Sequence, residues 1–333
     1  MVRAVFRVDA GRVWGVSMGH AVRSLIMAQE LRKEHEVIYV MKPYADGQKF
    51  IRDHGFDVVS LPEDSDDALI DICNDFQPER LICDLIETPY SLLFDYCRSH
   101  SILSIVFDTK GAVTGVPDML INANISADSM VYPSPIPASA RLMGPSYFMT
   151  HGMLKGASIK KKVLDVMITM GGSDPANLTA LVLGTLKGRF PDLRLHIVLG
   201  PAFSGHDKIR SIVADDPGII IYSNPPGFLK LLRDMDIVIT AGGGTLYECA
   251  WLGRPTITIP SIDHEEPIAD GFAQRNCAIL ASPPDSQVNQ RILIQRLQML
   301  IDKYELRLFM SKQGRLLVDG TGKHRILNAI ASL

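Results

Sequence analysis

The feature that most constrains the fold of this chain is a regular alternation of short apolar runs with segments of helical periodicity. Ala4–Val8 is predicted to be a strand, and apolar residues then recur at helical spacing from Val22 to Leu31. Further strands are predicted at Val37–Met41, Phe56–Leu61, Arg80–Asp84 and Ile102–Asp108. Strands that alternate with helices in this way form a parallel sheet that is covered by helices on both faces.

The alternation stops in a segment with four prolines, Ala127–Ser158, which we interpret as the connection between two domains. It then restarts. The predicted strands of the second half are Val163–Thr169, Arg194–Leu199, Ile219–Tyr222, Ile237–Thr240 and Pro255–Pro260. Its helices are expected at Ala176–Lys187, at Gly227–Asp234, from the Gly242–Gly244 run to Trp251, at Gln290–Tyr304 and at His324–Ser332.

The sequence therefore predicts an α/β protein with two Rossmann-like domains, residues 1–150 and 151–333, in which the last helix can pack back on the first domain. In open α/β sheets, ligands bind outside the carboxyl ends of the strands, close to the point where the strand order reverses. Two such domains that face a cleft would enclose a ligand between them.

The charge balance and the cysteines exclude several functional classes. With 34 Lys and Arg against 37 Asp and Glu, the chain has no excess of positive charge for binding nucleic acid. Its five cysteines form no Cys-x-x-Cys pair, so we expect buried, reduced thiols and no metal site. The charges within Met1–Asp9 do not fit a signal peptide, and no apolar run approaches the roughly 20 residues of a membrane helix. We expect a cytoplasmic protein without an integral membrane segment, and no pattern specifies an oligomeric state.

A run of three glycines follows a predicted strand and opens a predicted helix at Thr240–Glu248. Backbone amides at a helix start, together with the helix dipole, stabilise phosphate groups, and glycines allow a close approach. Thr245 and Glu248 also have the spacing of a capping box, so a capped helix after a tight turn is the alternative. Because three glycines exceed what a cap needs, we favour a phosphate site at this glycine run. Glu248 can then reach a ribose, and the missing P-loop lysine argues against ATP hydrolysis.

Two further loops lie where strands are predicted to end. Gly171, Gly172 and Ser173 follow the first strand of the second domain, where they form either a simple turn or a ligand loop. Ser17–His20 precedes the first amphipathic helix. A histidine at a helix N-terminus tends to stay neutral, as a general base must be, although a capping or packing role for His20 is the alternative.

Acidic residues also end several predicted strands. Asp9, Asp84 and Asp108 are candidates to face a ligand, and Arg7 beside Asp9 is a candidate salt-bridge partner. Another candidate pair follows Pro260. There, His264 and Glu265 either contact a ligand or belong to a solvated acidic loop.

Taken together, these segments resemble the UDP-sugar hydrolases of pseudaminic acid biosynthesis, the PseG family. The matching segments are Phe6–Asp9, Gly19–Arg23 with Leu25 and Ala28, Met170–Asp174 with Asn177–Thr179, Ala241–Thr245 with Glu248, Leu252-Gly253 with Pro255 and Ile257, and Asp319-Gly320 with Gly322 and Arg325-Ile326. The glycine-rich helix start is shared with the wider glycosyltransferase-B (GT-B) class, including MurG-type enzymes that use UDP-GlcNAc.

The resemblance implies a GT-B fold and an enzyme that releases UDP from UDP-2,4-diacetamido-2,4,6-trideoxy-β-L-altropyranose. Water attacks the anomeric carbon, and neither a metal nor a cofactor is required. His20 would activate the water, and Gly243, Gly244 and Thr245 would hold the diphosphate. Glu248 would hold the uridine ribose. The other residues expected at the substrate are Asp9, Gly19, Gly171, Gly172, Ser173, His264 and Glu265.

Two alternatives stay open at the level of sequence. A glycosyltransferase would use the same sites, with an acceptor hydroxyl in place of water. A binding protein that has lost its chemistry is the second alternative. It stays open because Leu85, Ile86 and Glu87 follow Asp84, where the family often has a His or Asn and a Tyr.

Overall fold

The computed structural model describes residues 2–11, 16, 18–150, 154–214, 216–281 and 289–333. The chain divides into two compact units. The N-terminal unit consists of Met1–His151 together with Thr321–Leu333, and the C-terminal unit is Gly152–Gly320. The last helix therefore belongs to the N-terminal unit. The cleft expected between two domains stays a prediction.

The N-terminal unit is built on a seven-stranded parallel sheet. Its strands are β1 (Val2–Val8), β2 (His35–Met41), β3 (Asp57–Ser60), β4 (Arg80–Asp84), β5 (Leu103–Phe107), β6 (Met119–Asn122) and β7 (Arg141–Met143). Its helices are α1 (Gly19–Leu31), α2 (Ala45–Asp53), α3 (Asp66–Phe76), α4 (Ser91–Ser99) and, from the chain end, α12 (Gly322–Ala331). The strand order β3-β2-β1-β4-β5-β6-β7 reverses between β1 and β4, so the loops after these two strands flank the switch point.

The C-terminal unit repeats this architecture with a six-stranded parallel sheet. Its strands are β8 (Asp165–Thr169), β9 (Arg194–Leu199), β10 (Ile219–Ser223), β11 (Ile237–Thr240), β12 (Thr256–Thr258) and β13 (Ile279–Leu280). Its helices are α5 (Leu178–Leu186), α6 (His206–Val213), α7 (Phe228–Asp234), α8 (Gly244–Leu252), α9 (Glu266–Gln274), α10 (Gln290–Asp302) and α11 (Tyr304–Leu317). The order β10-β9-β8-β11-β12-β13 reverses between β8 and β11.

The central strands of each sheet are buried on both faces, as their apolar sequences predict, whereas the edge strands β3 and β10 are largely exposed. In β1, Val5 and Phe6 are both fully buried but belong to different apolar clusters, because successive side chains point to opposite faces of a strand. Ile168 and Ile239, on neighbouring strands, lie in the core of the C-terminal unit. Among the described residues, no helix has the length and apolarity needed to cross a membrane.

Several elements differ from the sequence-based expectation, which did not include α6, α9 or β13. Strands β6 and β7 were not expected, and β7 lies inside the proline-rich segment that we interpreted as a connection. These strands have only four and three residues, too few to show a period, and β7 is an edge strand that pairs with β6 alone. The helix expected at Gln290–Tyr304 is α10, which ends at Asp302 because Lys303 leaves the helical conformation with φ −102° and ψ 84°. The helix that follows it, α11, was not expected.

Helix α12 is held to the N-terminal unit by a close backbone approach and an ion pair. A Cβ atom on Gly322 would lie 2.4 Å from the carbonyl oxygen of Phe148, so no larger residue fits there. The ammonium of Lys323 lies 2.6 Å from Glu30 on α1, and with Lys33 it lowers the pKa of Glu30 to about 2. Ile326 and Ile330 of α12 pack in the same buried apolar cluster as Phe6 of β1.

Candidate active site

Two groups of predicted site residues lie at the two switch points, one in each unit. In the N-terminal unit, Asp84 is the last residue of β4 and pairs with Val8 of β1. Helix α1 begins at Gly19, so His20 is in its first turn. Ser17, which the motif also includes, lies outside the described residues.

The imidazole of His20 is bound to the carboxylate of Asp84. Its Nδ1 lies 2.6 Å from Asp84 Oδ1. The Asp84 side chain is fully buried, and that of His20 is 11% exposed. Because an ionised carboxylate only accepts hydrogen bonds, the neutral imidazole is assigned its proton on Nδ1, and in this tautomer Nε2 has the lone pair. The arrangement fits a base that takes a proton at Nε2.

Arg23, one turn further along α1, binds the same carboxylate with two nitrogens. Its Nε donates to Asp84 Oδ2 at 2.8 Å, and Nη2 donates to Oδ1 at 2.5 Å. Burial alone would raise the pKa of Asp84, but the charge and hydrogen bonds of Arg23, with a smaller contribution from His20, lower it below its ordinary value. Asp84 therefore stays ionised in the interior of the protein.

The other acidic residues of this sheet edge are engaged by the protein itself. Asp9 accepts hydrogen bonds from Arg7 Nη1 at 2.6 Å and Nη2 at 2.8 Å, and from the amide of Lys42 at 2.9 Å. Arg7 is fully buried and also pairs with Asp64. Asp108 accepts from backbone amides of its own loop, and from Asn122 and Tyr132. Asp9 and Asp108 thus hold the loops in place, and direct substrate contact by Asp9 stays a prediction.

In the C-terminal unit, both glycine loops leave neighbouring strands at the same edge of the sheet. Thr169 of β8 pairs with Thr240 of β11, and each loop begins just after its threonine. Gly243 is the N-cap of α8, where it supplies no capping side chain to the first amides of the helix. The capping-box alternative needs Thr245 at the N-cap, but the helix already begins at Gly244.

The three glycines of the run have different surroundings. A Cβ on Gly242 would lie 2.7 Å from the carbonyl oxygen of Glu265, so tight packing accounts for this glycine. A Cβ on Gly243 would lie 3.2 Å from the Glu265 carboxylate. Gly244 is exposed, and a Cβ there would have no described atom within 4 Å. Packing therefore explains the first glycine, whereas the third is open towards solvent, as an anion site requires.

Glu248 lies one turn into α8 and is partly buried. Burial raises the pKa of its carboxyl to about 7, and no donor among the described residues forms a hydrogen bond with it. Burying an ionised carboxylate without a hydrogen-bond partner costs free energy, unless a bound ligand supplies the missing donors. Its position beside the glycine bend is compatible with the ribose role that we expect.

Gly171, Gly172 and Ser173 form an exposed turn after β8. Gly171 has φ +73°, which favours glycine. The next residue, Asp174, is buried, and its two carboxylate oxygens accept from the amides of Leu178 at 2.8 Å and Thr179 at 2.9 Å. Asp174 therefore caps α5 and fixes the turn, which leaves the first three residues accessible.

His264 and Glu265 have different environments although they are neighbours. Glu265 is buried, and its Oε2 accepts hydrogen bonds from the amide of Ser261 at 2.8 Å and from its hydroxyl at 2.7 Å. Since Glu265 also packs against Gly242, it supports the glycine bend from the protein side. His264 is exposed. Substrate contact by either residue stays a prediction.

Sequence reasoning did not pair His20 with Asp84 and gave Arg23 no role. The pair is separated by 64 residues in the chain. Two signals were present, namely the three-residue spacing of His20 and Arg23 on one helix and an aspartate at the end of a buried strand.

Comparisons with known proteins agree with this architecture. Residues 166–315 match the glycosyltransferase family 28 C-terminal domain. The spore coat polysaccharide biosynthesis protein SpsG of Bacillus subtilis is 26% identical over 328 residues, which cover 95% of this chain and 94% of that protein. An uncharacterized protein of Methanocaldococcus jannaschii is 28% identical over 278 residues, 78% of this chain, but this match spans only 56% of that protein.

The crystal structure of MurG from Acinetobacter baumannii has a similar fold, with a TM-score of 0.71 at 16% identity. The match covers 99% of this chain and 100% of that one. The prediction of two Rossmann-like α/β domains of the GT-B type is confirmed.

Proposed function

We propose that this chain is a UDP-sugar enzyme of polysaccharide biosynthesis that hydrolyses its substrate. It would release UDP from a UDP-linked diacetamido-trideoxy-hexose, as the resemblance to the PseG family implies. The observation that carries the proposal is the His20–Asp84 pair at 2.6 Å, which leaves Nε2 of a histidine at a switch point ready to accept a proton. The similarity to a spore coat polysaccharide biosynthesis protein over 95% of the chain supports a role in polysaccharide biosynthesis.

The C-terminal unit would hold the nucleotide. Amides of Gly243, Gly244 and Thr245 at the start of α8 would bind the diphosphate, where the helix dipole favours negative charge. The Glu248 carboxylate, which lacks a described partner, would accept hydrogen bonds from the ribose hydroxyls. The exposed turn at Gly171–Ser173 leaves the neighbouring strand and would line the same site.

In the proposed reaction, one water oxygen forms a bond to the anomeric carbon as the bond from that carbon to the diphosphate oxygen breaks. The water proton passes to Nε2 of His20 and later to solvent. The bonding electrons leave with UDP, whose negative charge the α8 amides stabilise. The Asp84 carboxylate keeps the Nδ1 proton of His20 in place and so keeps the lone pair on Nε2.

The test is incubation with a panel of UDP-sugars in heavy-oxygen water. Hydrolysis at the anomeric carbon places the heavy oxygen in the sugar and none in UDP. His20→Asn is expected to reduce kcat by about 10²–10⁴-fold, the range for loss of a general base, with UDP affinity within a few-fold of wild type. His54→Asn, on the surface of the same unit, serves as the control and should retain activity. Full activity of His20→Asn would reject His20 as the base.

A glycosyltransferase is the second candidate, and the match to the family 28 C-terminal domain favours it. The same base would then deprotonate an acceptor hydroxyl. Adding candidate acceptors to the incubation separates the two reactions, because a transferase forms a glycoside and releases little free sugar. Tight UDP-sugar binding without turnover under any condition would instead indicate a binding protein.

A further inference from the structure

The proposed mechanism leaves one charged residue of the His20 site without a function. Arg23 is three residues after His20 on α1, and its side chain is 25% exposed. Its guanidinium contacts both oxygens of Asp84, and Nη2 lies 3.5 Å from Nδ1 of His20. Its Cζ also lies 5.6 Å from the ring centroid of Phe107 at the end of β5. The guanidinium is therefore fixed in one position beside the imidazole.

We propose that Arg23 is a positioning residue that keeps His20 neutral, with its proton on Nδ1, by neutralising Asp84 and by placing a positive charge beside the imidazole. The inference rests on the proposed function, in which Nε2 accepts the proton of the nucleophile. It adds the residue that makes this nitrogen available.

The argument follows from the charges at the site. A buried carboxylate alone would favour a protonated imidazole as its counter-ion, and a protonated imidazole has no lone pair to accept a proton. With Arg23 bound, Asp84 already has a counter-ion, so the pair carries no net charge. A second positive charge on His20 would then lie 3.5 Å from the Arg23 nitrogen and be repelled by it. The two-pronged contact also fixes the plane of the carboxylate that accepts the hydrogen bond from Nδ1–H.

Other ionisable groups near the site do not replace Arg23. Asp108, at the end of β5, acts on the charge of Arg23, but its own carboxylate is engaged by Asn122 and Tyr132. Burial raises the pKa of the Tyr39 hydroxyl on β2, and the negative charge of Asp84 raises it further, so Tyr39 stays neutral. Within the described residues, Arg23 is the cation that binds Asp84.

The experiment compares Arg23→Met, Arg23→Lys and a control, Arg98→Met, in the full-length protein. Arg98 is an exposed arginine of the same unit that also pairs with an aspartate, Asp95. The imidazole nitrogens of His20 are followed by NMR between pH 5 and 9, and the pH profile of kcat is measured with the sugar nucleotide that the panel identifies. UDP affinity and the melting temperature are recorded for each variant.

In Arg23→Met, the midpoint of the His20 titration is expected to rise by about one pH unit, the usual effect of one close charge. The acidic limb of the kcat profile should shift to higher pH by the same amount, while UDP affinity stays unchanged. Arg23→Lys keeps the charge but loses the two-pronged contact, so we expect about half of that shift. Arg98→Met should behave as wild type.

An unchanged His20 midpoint and an unchanged Nδ1–H tautomer in folded Arg23→Met would overturn the inference. If Arg23→Met does not fold, the outcome in Arg23→Lys decides in the same way. The NMR result needs no turnover. A shifted His20 titration in a protein that hydrolyses no sugar nucleotide would support the role of Arg23 and reject the proposed reaction.

Discussion

The nucleotide site can be tested through Glu248, because burial raises the pKa of its carboxyl to about 7. In the proposed complex, the ionised carboxylate accepts hydrogen bonds from the ribose hydroxyls, so UDP binds preferentially to the ionised protein. UDP affinity should therefore be highest at about pH 8 and should decrease as the pH falls through 7.

The size of the effect follows from the position of that pKa. At pH 6, one unit below it, the carboxyl is ionised in about one molecule in eleven, whereas at pH 8 it is ionised in about ten of eleven. The dissociation constant should therefore rise about tenfold, which corresponds to about 1.4 kcal/mol. Glu248→Gln has nearly the same size but does not titrate, so it should bind UDP more weakly at pH 8 and lack this pH dependence.

Isothermal titration calorimetry of both proteins at pH 6, 7 and 8 gives the comparison. The phosphates of UDP titrate in the same range, but they affect both proteins equally, so the ratio of the two dissociation constants isolates Glu248. A ratio that stays constant from pH 6 to 8 would refute the ribose role. Because the pKa of Glu248 is raised from 4.5 to about 7, the contribution of this carboxyl to stability is fully present below pH 4.5 and is lost as the pH rises through 7, so Glu248→Gln should raise the Tm of the free protein at pH 8.

Four further substitutions test the site and its support. Gly244→Ala places a methyl group where no described atom lies within 4 Å, so it should leave the Tm unchanged and weaken UDP binding about tenfold or more; unchanged calorimetric affinity would remove the phosphate site. Its matched partner Gly242→Ala meets the Glu265 carbonyl oxygen at 2.7 Å and should lower the Tm, as thermal unfolding will show. Asp174→Ala removes the cap of α5 and should cost about 1 kcal/mol in denaturant unfolding, and a loss near zero would contradict that capping role. Asp84→Asn should reduce kcat by orders of magnitude while UDP affinity is retained, and wild-type turnover would exclude the His20 tautomer that we assign.

Local patterns in the sequence predicted the elements that carry the site. The strand Arg80–Asp84 was predicted with its observed bounds, because a buried parallel strand is a short apolar run that can be recognised without knowing which strands it pairs with. The turn at Gly171–Ser173 and the helix start at Gly244 were also recognisable, since glycine is required where the backbone must turn sharply or come close to another group. Short strands such as β7 show no period and were missed.

The partners of the site residues were beyond the reach of local patterns. Glu265 and His264 are adjacent and equally polar, yet only Glu265 is buried, beneath the glycine bend. Asp9 and Asp84 both follow buried strand residues, but Arg7 binds the first and His20 with Arg23 binds the second.

The sequence by itself determined the order of strands, helices and glycine turns, because these depend on residues within a few positions of one another. Only the tertiary structure decided which carboxylate meets which cation. That choice depends on the register in which Val8 of β1 lies beside Asp84 of β4, and on the packing of α1, which brings His20 and Arg23 to that carboxylate. Side chains 64 residues apart come within 2.6 Å through this packing, and no local period along the chain encodes such a distance.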